Sequence, residues 1–107
     1  MEDDCIRRTL FSVYILTNFN RTVLYIGVTK DLLLRREQHE MGAKSGGKGF
    51  TARYKCFYIV YYEDFQWIQD AILREKQLKH WPRKRTEELI TAFNPEWKFL
   101  TDKDIGL

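Results

Sequence analysis

Little in this chain of 107 residues suggests covalent or metal staples. It has two cysteines, Cys5 and Cys56, far apart and without C-x-x-C or Cys/His ligand spacing. That pattern argues against a zinc site and against a disulfide framework, and reads as two reduced thiols in a reducing compartment. Long apolar runs are also missing. The longest, residues 56–62, is far too short to span a bilayer. The first residues, Met-Glu-Asp-Asp, are acidic and unlike a signal peptide. The expectation is a cytoplasmic protein with no membrane association. Repeats, low-complexity tracts and linkers are absent too. Gly46-Gly47-Lys48-Gly49 lacks the G-x-x-x-x-G-K-[ST] spacing, so it is not a P-loop.

Apolar and aromatic residues are plentiful, at 44% and 15%. A chain this long buries roughly 65% of its unfolded surface, enough for one core. The expectation is one domain over residues 1–107, with a core at about 10–100 and short tails. The net charge is only +3 but is unevenly spread. Residues 30–85 carry thirteen Lys/Arg against seven Asp/Glu, whereas residues 86–107 carry two against five. A basic middle favours phosphate-rich partners; a solvated face with ordinary charge scatter is the simpler explanation.

Alternation predicts a strand over residues 11–16, with Phe11, Val13 and Ile15 on one face and Ser12, Tyr14 and Leu16 on the other. An Asn-containing turn over 17–22, using the tolerance of Asn for left-handed backbone, leads to a second strand over 23–28. Pairing Leu16 with Val23 would place Tyr14 opposite Tyr25 and Ser12 opposite Gly27. Asp31 is the expected N-cap of a helix over 32–41 that stops at Gly42, with a flexible basic loop after it. Residues 56–62 read as a third strand. Asp64 is expected to cap a helix over 65–80 that ends before Pro82, and Thr86 to cap a short last helix. Trp97, Phe99 and Leu100 should fold back onto the core. The order ββα–β–αα implies an α+β fold, a small three-stranded antiparallel sheet flanked by helices.

Several side chains could carry chemistry. Glu75 falls on the stripe of Ile68, Ala71, Ile72 and Leu78. A carboxylate there is either ion-paired, with Arg74, Lys76 or Lys79 at hand, or bound to a cation. Arg35 and His39 share a helix face at i and i+4, which suits phosphate recognition and proton transfer or a merely charged surface. Tyr14 and Tyr25 read equally as core aromatics. The cluster Lys79, His80, Trp81, Arg83, Lys84, Arg85 can track a nucleic-acid backbone or simply solubilise a helix end.

Taken together and in this order, Val13-Tyr14-Ile15, Tyr25-Ile26-Gly27, Arg35, His39 and Glu75 resemble the GIY-YIG endonuclease family. The tyrosines stand 11 positions apart and Gly27 precedes Arg35 by 8, as in that family's pattern. The resemblance runs from about Ser12 to Leu100. It looks closest to the small stand-alone bacterial members, which resemble the N-terminal nuclease domain of the excision-repair incision subunit. Arg74 to Trp81 and Asn94-Pro95-Glu96-Trp97 are typical of those members.

The resemblance implies a metal-dependent endonuclease that cuts phosphodiester bonds in DNA; the alternative is a non-catalytic nucleic-acid-binding module that keeps the fold. It implies that Glu75 ligates one Mg²⁺ or Mn²⁺, that Tyr14, with Tyr25 and His39, activates the attacking water, and that Arg35 steadies the phosphoryl oxygens. Gly27 would allow close backbone approach and Asn94 would order the site. Lys79, Arg83, Lys84 and Arg85 would hold the backbone of the nucleic acid. One departure is Ser12-Val13-Tyr14 where the family has Gly-Ile-Tyr. The chain shows no helix-turn-helix or zinc finger. Recognition of structure, ends or damage is therefore expected, or specificity supplied by a homodimer or a protein partner. The residues themselves leave RNA open.

Overall fold

The computed structural model describes residues 10–106. Cys5 and the expected N-terminal tail lie outside the described residues. The elements run β1 (Phe11–Thr17), β2 (Leu24–Thr29), α1 (Leu32–Lys44), α2 (Phe50–Tyr54), β3 (Tyr58–Phe65), α3 (Ile68–Lys79), α4 (Arg83–Phe93) and α5 (Asp102–Ile105). The strands form one antiparallel sheet in the order β2-β1-β3, so the fold is α+β as expected. Among the described residues no helix is long and apolar enough to cross a membrane.

β1 is central, and every residue from Ser12 to Thr17 is buried. That explains its composition: apolar side chains on both faces, and two hydroxyls that find partners. Ser12 donates to Asp64 at 2.7 Å and Thr17 donates to the Val23 carbonyl at 2.8 Å. The predicted division of faces is seen. Val13 packs with Ala71 and Leu78 of α3, and Ile15 with Val60, Tyr61 and Ile90 of α4. Tyr14 and Leu16 lie on the opposite face with Leu32, Cys56, Ile59 and Ile105. Burial lifts the Cys56 thiol to about 11, so it stays protonated at neutral pH.

The hairpin register differs from expectation by two residues. Tyr14 pairs with Gly27, Leu16 with Tyr25 and Ser12 with Thr29. Parity is kept, so Tyr14 and Tyr25 still share a face, but diagonally. The shift comes from a loop displaced by one position, not from a longer one: Thr17 extends β1 and β2 begins only at Leu24, so Thr17 pairs with Leu24. The Asn18 side chain accepts from the Thr22 and Val23 N–H groups at 2.8 and 3.1 Å. The left-handed residue of this loop is Arg21 (φ 61°), not an asparagine. Its guanidinium donates to the Trp97 carbonyl at 2.9 Å and lies 4.0 Å from the centre of the Phe99 ring.

Other boundaries move for local reasons. Gly42 does not stop α1, which runs on to Lys44; Ala43 is buried, and Ser45 supplies the cap by bonding the Met41 carbonyl. A mid-helix glycine costs only about 1 kcal/mol, which such packing offsets. The basic loop then leads into a short helix, α2, that sequence pattern did not reveal. Gly49 (φ 103°) opens it in a conformation that other residues avoid. β3 starts two residues later than expected and runs through Asp64, so Asp64 is a strand residue and not a cap. α3 starts after Trp67, without a side-chain cap. Thr86 is not a cap either: it is buried inside α4, which Pro82 and Arg83 begin. Pro suits this place because its fixed φ fits a helix start and its missing N–H leaves nothing unsatisfied.

Between Ile15 and Leu16 the β1–β3 register slips, leaving Val60 without a strand partner. Its carbonyl accepts from the Asn94 amide at 3.0 Å. Next to this bulge Leu100 N–H bonds the Ile59 carbonyl at 2.8 Å. The fold-back of Trp97, Phe99 and Leu100 is thus observed. The core also continues past residue 100, because Ile105 of α5 is buried beside Tyr14 and Leu16.

Candidate active site

The functional side chains gather at the free edge of β2. Tyr25 stands on the Tyr14 face, while Leu24 and Ile26 turn towards α3 and α4. An open groove along this edge is lined by Leu24, Tyr25, Ile26, Phe50 of α2 and Lys79 of α3. Because β2 is an edge strand, helices from both sides of the sheet can reach past it. No single sequence segment holds these groups.

Tyr14 lies at the centre, almost wholly buried. Its hydroxyl is 3.2 Å from His39 Nε2. His39 Nδ1 in turn is 2.8 Å from the Thr51 hydroxyl on α2. Tyr25 closes the group: its ring meets the His39 ring edge-on at 5.5 Å and lies 6.4 Å from Tyr14. Gly27 faces Tyr14 across the strands. A methyl group there would come within 2.6 Å of Tyr14 Cζ. The glycine therefore makes room for the Tyr14 ring.

Burial raises the Tyr14 phenol above its ordinary value. The Tyr25 phenol and the Glu75 carboxylate add to this, while Arg35 pulls the other way. Burial lowers the His39 imidazole, and Arg35 lowers it further. Both directions favour neutral side chains at neutral pH. Arg35 and Glu75 thus bear on one phenol, although they come from α1 and α3. Arg35 is exposed, and its guanidinium has no hydrogen-bonded or ion-paired partner among the described residues. Its neighbours on α1 are otherwise engaged: Glu40 takes Arg36 at 2.6 Å and Lys44 at 2.7 Å.

Glu75 sits between Ala71 and Leu78, both fully buried, with a side chain only 16% exposed. It is paired with Lys79 at 3.1 Å, one turn along α3. The ion pair that the sequence offered is thus observed, and the carboxylate also acts electrostatically on the Tyr14 phenol.

A family model, that of the GIY-YIG catalytic domain, matches residues 10–88. The chain belongs to this family. A search of curated proteins and a search of solved structures each found no match. Family membership makes this a nuclease-type domain with nucleic acid as its substrate class.

Within the GIY-YIG domain, Tyr14, Tyr25, His39, Arg35 and Glu75 come together, and Lys79 joins them through Glu75 and the groove. Arg83, Lys84 and Arg85 do not line this groove. Arg83 bonds Glu87 at 2.8 Å and the Thr22 carbonyl at 3.1 Å, and Arg85 stacks 3.9 Å over Trp81. Asn94 is held on the far side of the sheet. Its amide bonds the Val60 and Lys98 carbonyls and accepts from the Lys98 N–H. Its position orders β3 and the 94–98 turn.

Two residues escaped sequence reasoning, Thr51 and Phe50. Both lie on α2, whose five residues are too few to show a helical period. The available signal was the aromatic pair Phe50 and Tyr54 at i and i+4 just after a glycine-rich stretch.

For a metal, the donor set is sparse. Among the described residues no three His, Cys, Asp or Glu side chains gather into a cage. One semi-buried carboxylate still suits a hard cation such as Mg²⁺, which keeps several waters and takes remaining ligands from substrate phosphates. Glu75 fits that pattern if Lys79 releases it.

Proposed function

We propose that this GIY-YIG domain is a divalent-metal-dependent DNA endonuclease that recognises structure, ends or damage rather than a long sequence. The reading rests most on the Tyr14–His39 pair at 3.2 Å, a buried phenol on which the charges of Arg35 and Glu75 both act. Placement within the cytoplasm, and kinship with the small members that resemble the excision-repair incision domain, belong to the same proposal.

In this reading Glu75 holds one Mg²⁺ or Mn²⁺. When bound, the ion supplies polarisation of the scissile phosphate and stabilises charge on the leaving oxygen. The chain's own residues do the rest. Tyr14 keeps its proton in the resting protein and donates it to neutral His39 Nε2. The Thr51 hydroxyl then accepts from His39 Nδ1–H and holds that tautomer. As Tyr14 passes its proton to His39, its oxygen takes a proton from the attacking water. A phenol with a raised pKa is a poor acid but a strong base once its proton has somewhere to go. Tyr25 walls one side of the imidazole. Arg35, whose guanidinium has no partner among the described residues, forks onto the non-bridging phosphate oxygens. Lys79 is released from Glu75 and turns to the flanking backbone phosphate.

One observation favours the alternative, a module that binds nucleic acid without cutting it: the ion pair of Lys79 with Glu75. A cleavage assay separates the two. Labelled single-stranded, duplex and branched DNA are incubated with Mg²⁺ or Mn²⁺, beside a Glu75→Ala protein whose fold is checked by circular dichroism. Cutting by the wild type alone supports the nuclease. Salt-dependent binding with no cutting by either protein leaves the binding module.

A further inference from the structure

Helix α2 presents two aromatic rings to solvent beside the catalytic group. Phe50 and Tyr54 are 47% and 43% exposed, high for such large apolar side chains in so small a domain. They are arranged as a ladder. The Phe50 ring lies 4.9 Å from Tyr54 and 6.0 Å from Tyr25, near-parallel to the latter at 29°. Core packing does not account for this, since neither ring belongs to the buried clusters.

The surroundings are cationic. Residues 41–62 contain Lys44, Lys48, Arg53 and Lys55 and no acidic residue. Arg53 lies 5.6 Å from the Tyr54 ring centre. Lys79 lines the same groove as Phe50. α2 is also tied to the chemistry: Thr51, next to Phe50, bonds His39.

Resting on the nuclease reading above, we propose that Phe50 and Tyr54 form a stacking platform for an unpaired nucleobase next to the phosphate that is cut. Aromatic faces with flanking cations are the general device for holding single strands, whose bases are free to stack. In an intact duplex the bases are stacked and paired, so the platform finds no occupant. The domain therefore prefers flaps, gaps, bubbles or ends over continuous duplex. Phe50, stacked on Tyr25, passes this preference directly to the catalytic group, and no separate DNA-binding domain is needed for it.

The test is binding without metal, so that cutting plays no part. Three probes of roughly ten nucleotides are compared: an oligothymidylate, an abasic strand of the same length and charge, and a duplex. The wild type should bind the oligothymidylate most tightly. Phe50→Ala should weaken that binding by roughly 5- to 150-fold, the effect of losing one stacked base. It should leave binding to the abasic strand unchanged, and Phe50→Trp should restore the preference. Equal binding of the abasic strand and the oligothymidylate by the wild type overturns the platform, and this result needs no variant to fold. So does a Phe50→Ala protein that binds as the wild type does; in both cases the nuclease reading survives if duplex DNA is cut with metal. Absence of binding to every probe at low salt overturns both.

Discussion

Tyr14 on β1 and Tyr61 on β3 are both buried tyrosines, 2% and 4% exposed. Burial raises both phenols above the ordinary value, and a carboxylate adds to the effect in each case. Their surroundings differ in one respect. Tyr61 donates to Glu63, and Glu63 is clamped by the Arg74 guanidinium at 2.9–3.1 Å. Every charge in that group has a partner inside the protein. Tyr14 instead meets a neutral imidazole, and the cation that acts on it, the Arg35 guanidinium, has no partner among the described residues. The carboxylate near it holds only a lysine, itself 49% exposed. Similar residue types thus make a closed network in one place and an open one in the other. Closed networks stabilise; open ones leave charge for a ligand.

Removing each site's carboxylate in turn is the sharpest way to break this contrast. Glu75→Ala should abolish cleavage, a loss of roughly a thousandfold or more, with little change in a urea denaturation midpoint. Glu63→Ala should do the reverse, costing about 1.5–3 kcal/mol of stability through lost charged hydrogen bonds while leaving kcat near wild type. If Glu63→Ala kills activity as thoroughly, the two networks are not distinct.

The tyrosines come next. Tyr14→Phe keeps the ring and removes the proton carrier, so kcat should fall by about 100- to 10,000-fold. Tyr61→Phe should change kcat little. Single-turnover kinetics on one DNA substrate compares both.

A smaller loss is expected from Gly27→Ala. The added methyl overlaps the Tyr14 hydroxyl and ring, so the Tyr14–His39 contact should be disturbed. The chemical shift of His39 and the cleavage rate should change together; an unchanged rate would mean that the Tyr14–His39 distance is immaterial.

The gentlest effect is on pH dependence. The His39 pKa is lowered in the folded protein, so the imidazole stays neutral below its ordinary value of about 6.5. The acid limb of the rate profile should therefore fall below that value and disappear in a His39→Asn protein. Stability has the matching sign. The unfolded chain protonates first, so the His39 contribution is complete above about 6.5 and is lost as the pH falls through the lowered value. An acid limb that survives His39→Asn would assign it to another group.

Much of this molecule can be read from its amino acids. The two-residue period of 11–16 places Val13 and Ile15 against Tyr14 and Leu16, because side chains alternate across a strand whatever its neighbours are. The 3.6-residue period of α3 likewise places Glu75 between Ala71 and Leu78. Spacing along the chain carries these relations, and so does the family pattern that spans residues 10–88.

Relations between segments were not legible in the same way. The strand register depended on Thr17 and Asn18 setting where the loop begins, a question of hydrogen bonds and not of periodicity. The end of α1 depended on Ser45 and on buried Ala43, which outweighed the local signal of Gly42. α2 and Thr51 were invisible because a five-residue helix has too few turns to show a period. Likewise, Asn94 could be read as a late asparagine, but only the bulge at Val60 shows what its amide holds. The sequence by itself determined which side chains are available and which face of its own element each occupies, since those follow from local backbone geometry. Tertiary structure alone decided that the Arg35 guanidinium would have no partner among the described residues while Arg74 closed on Glu63, because pairing depends on distances between elements far apart in the chain.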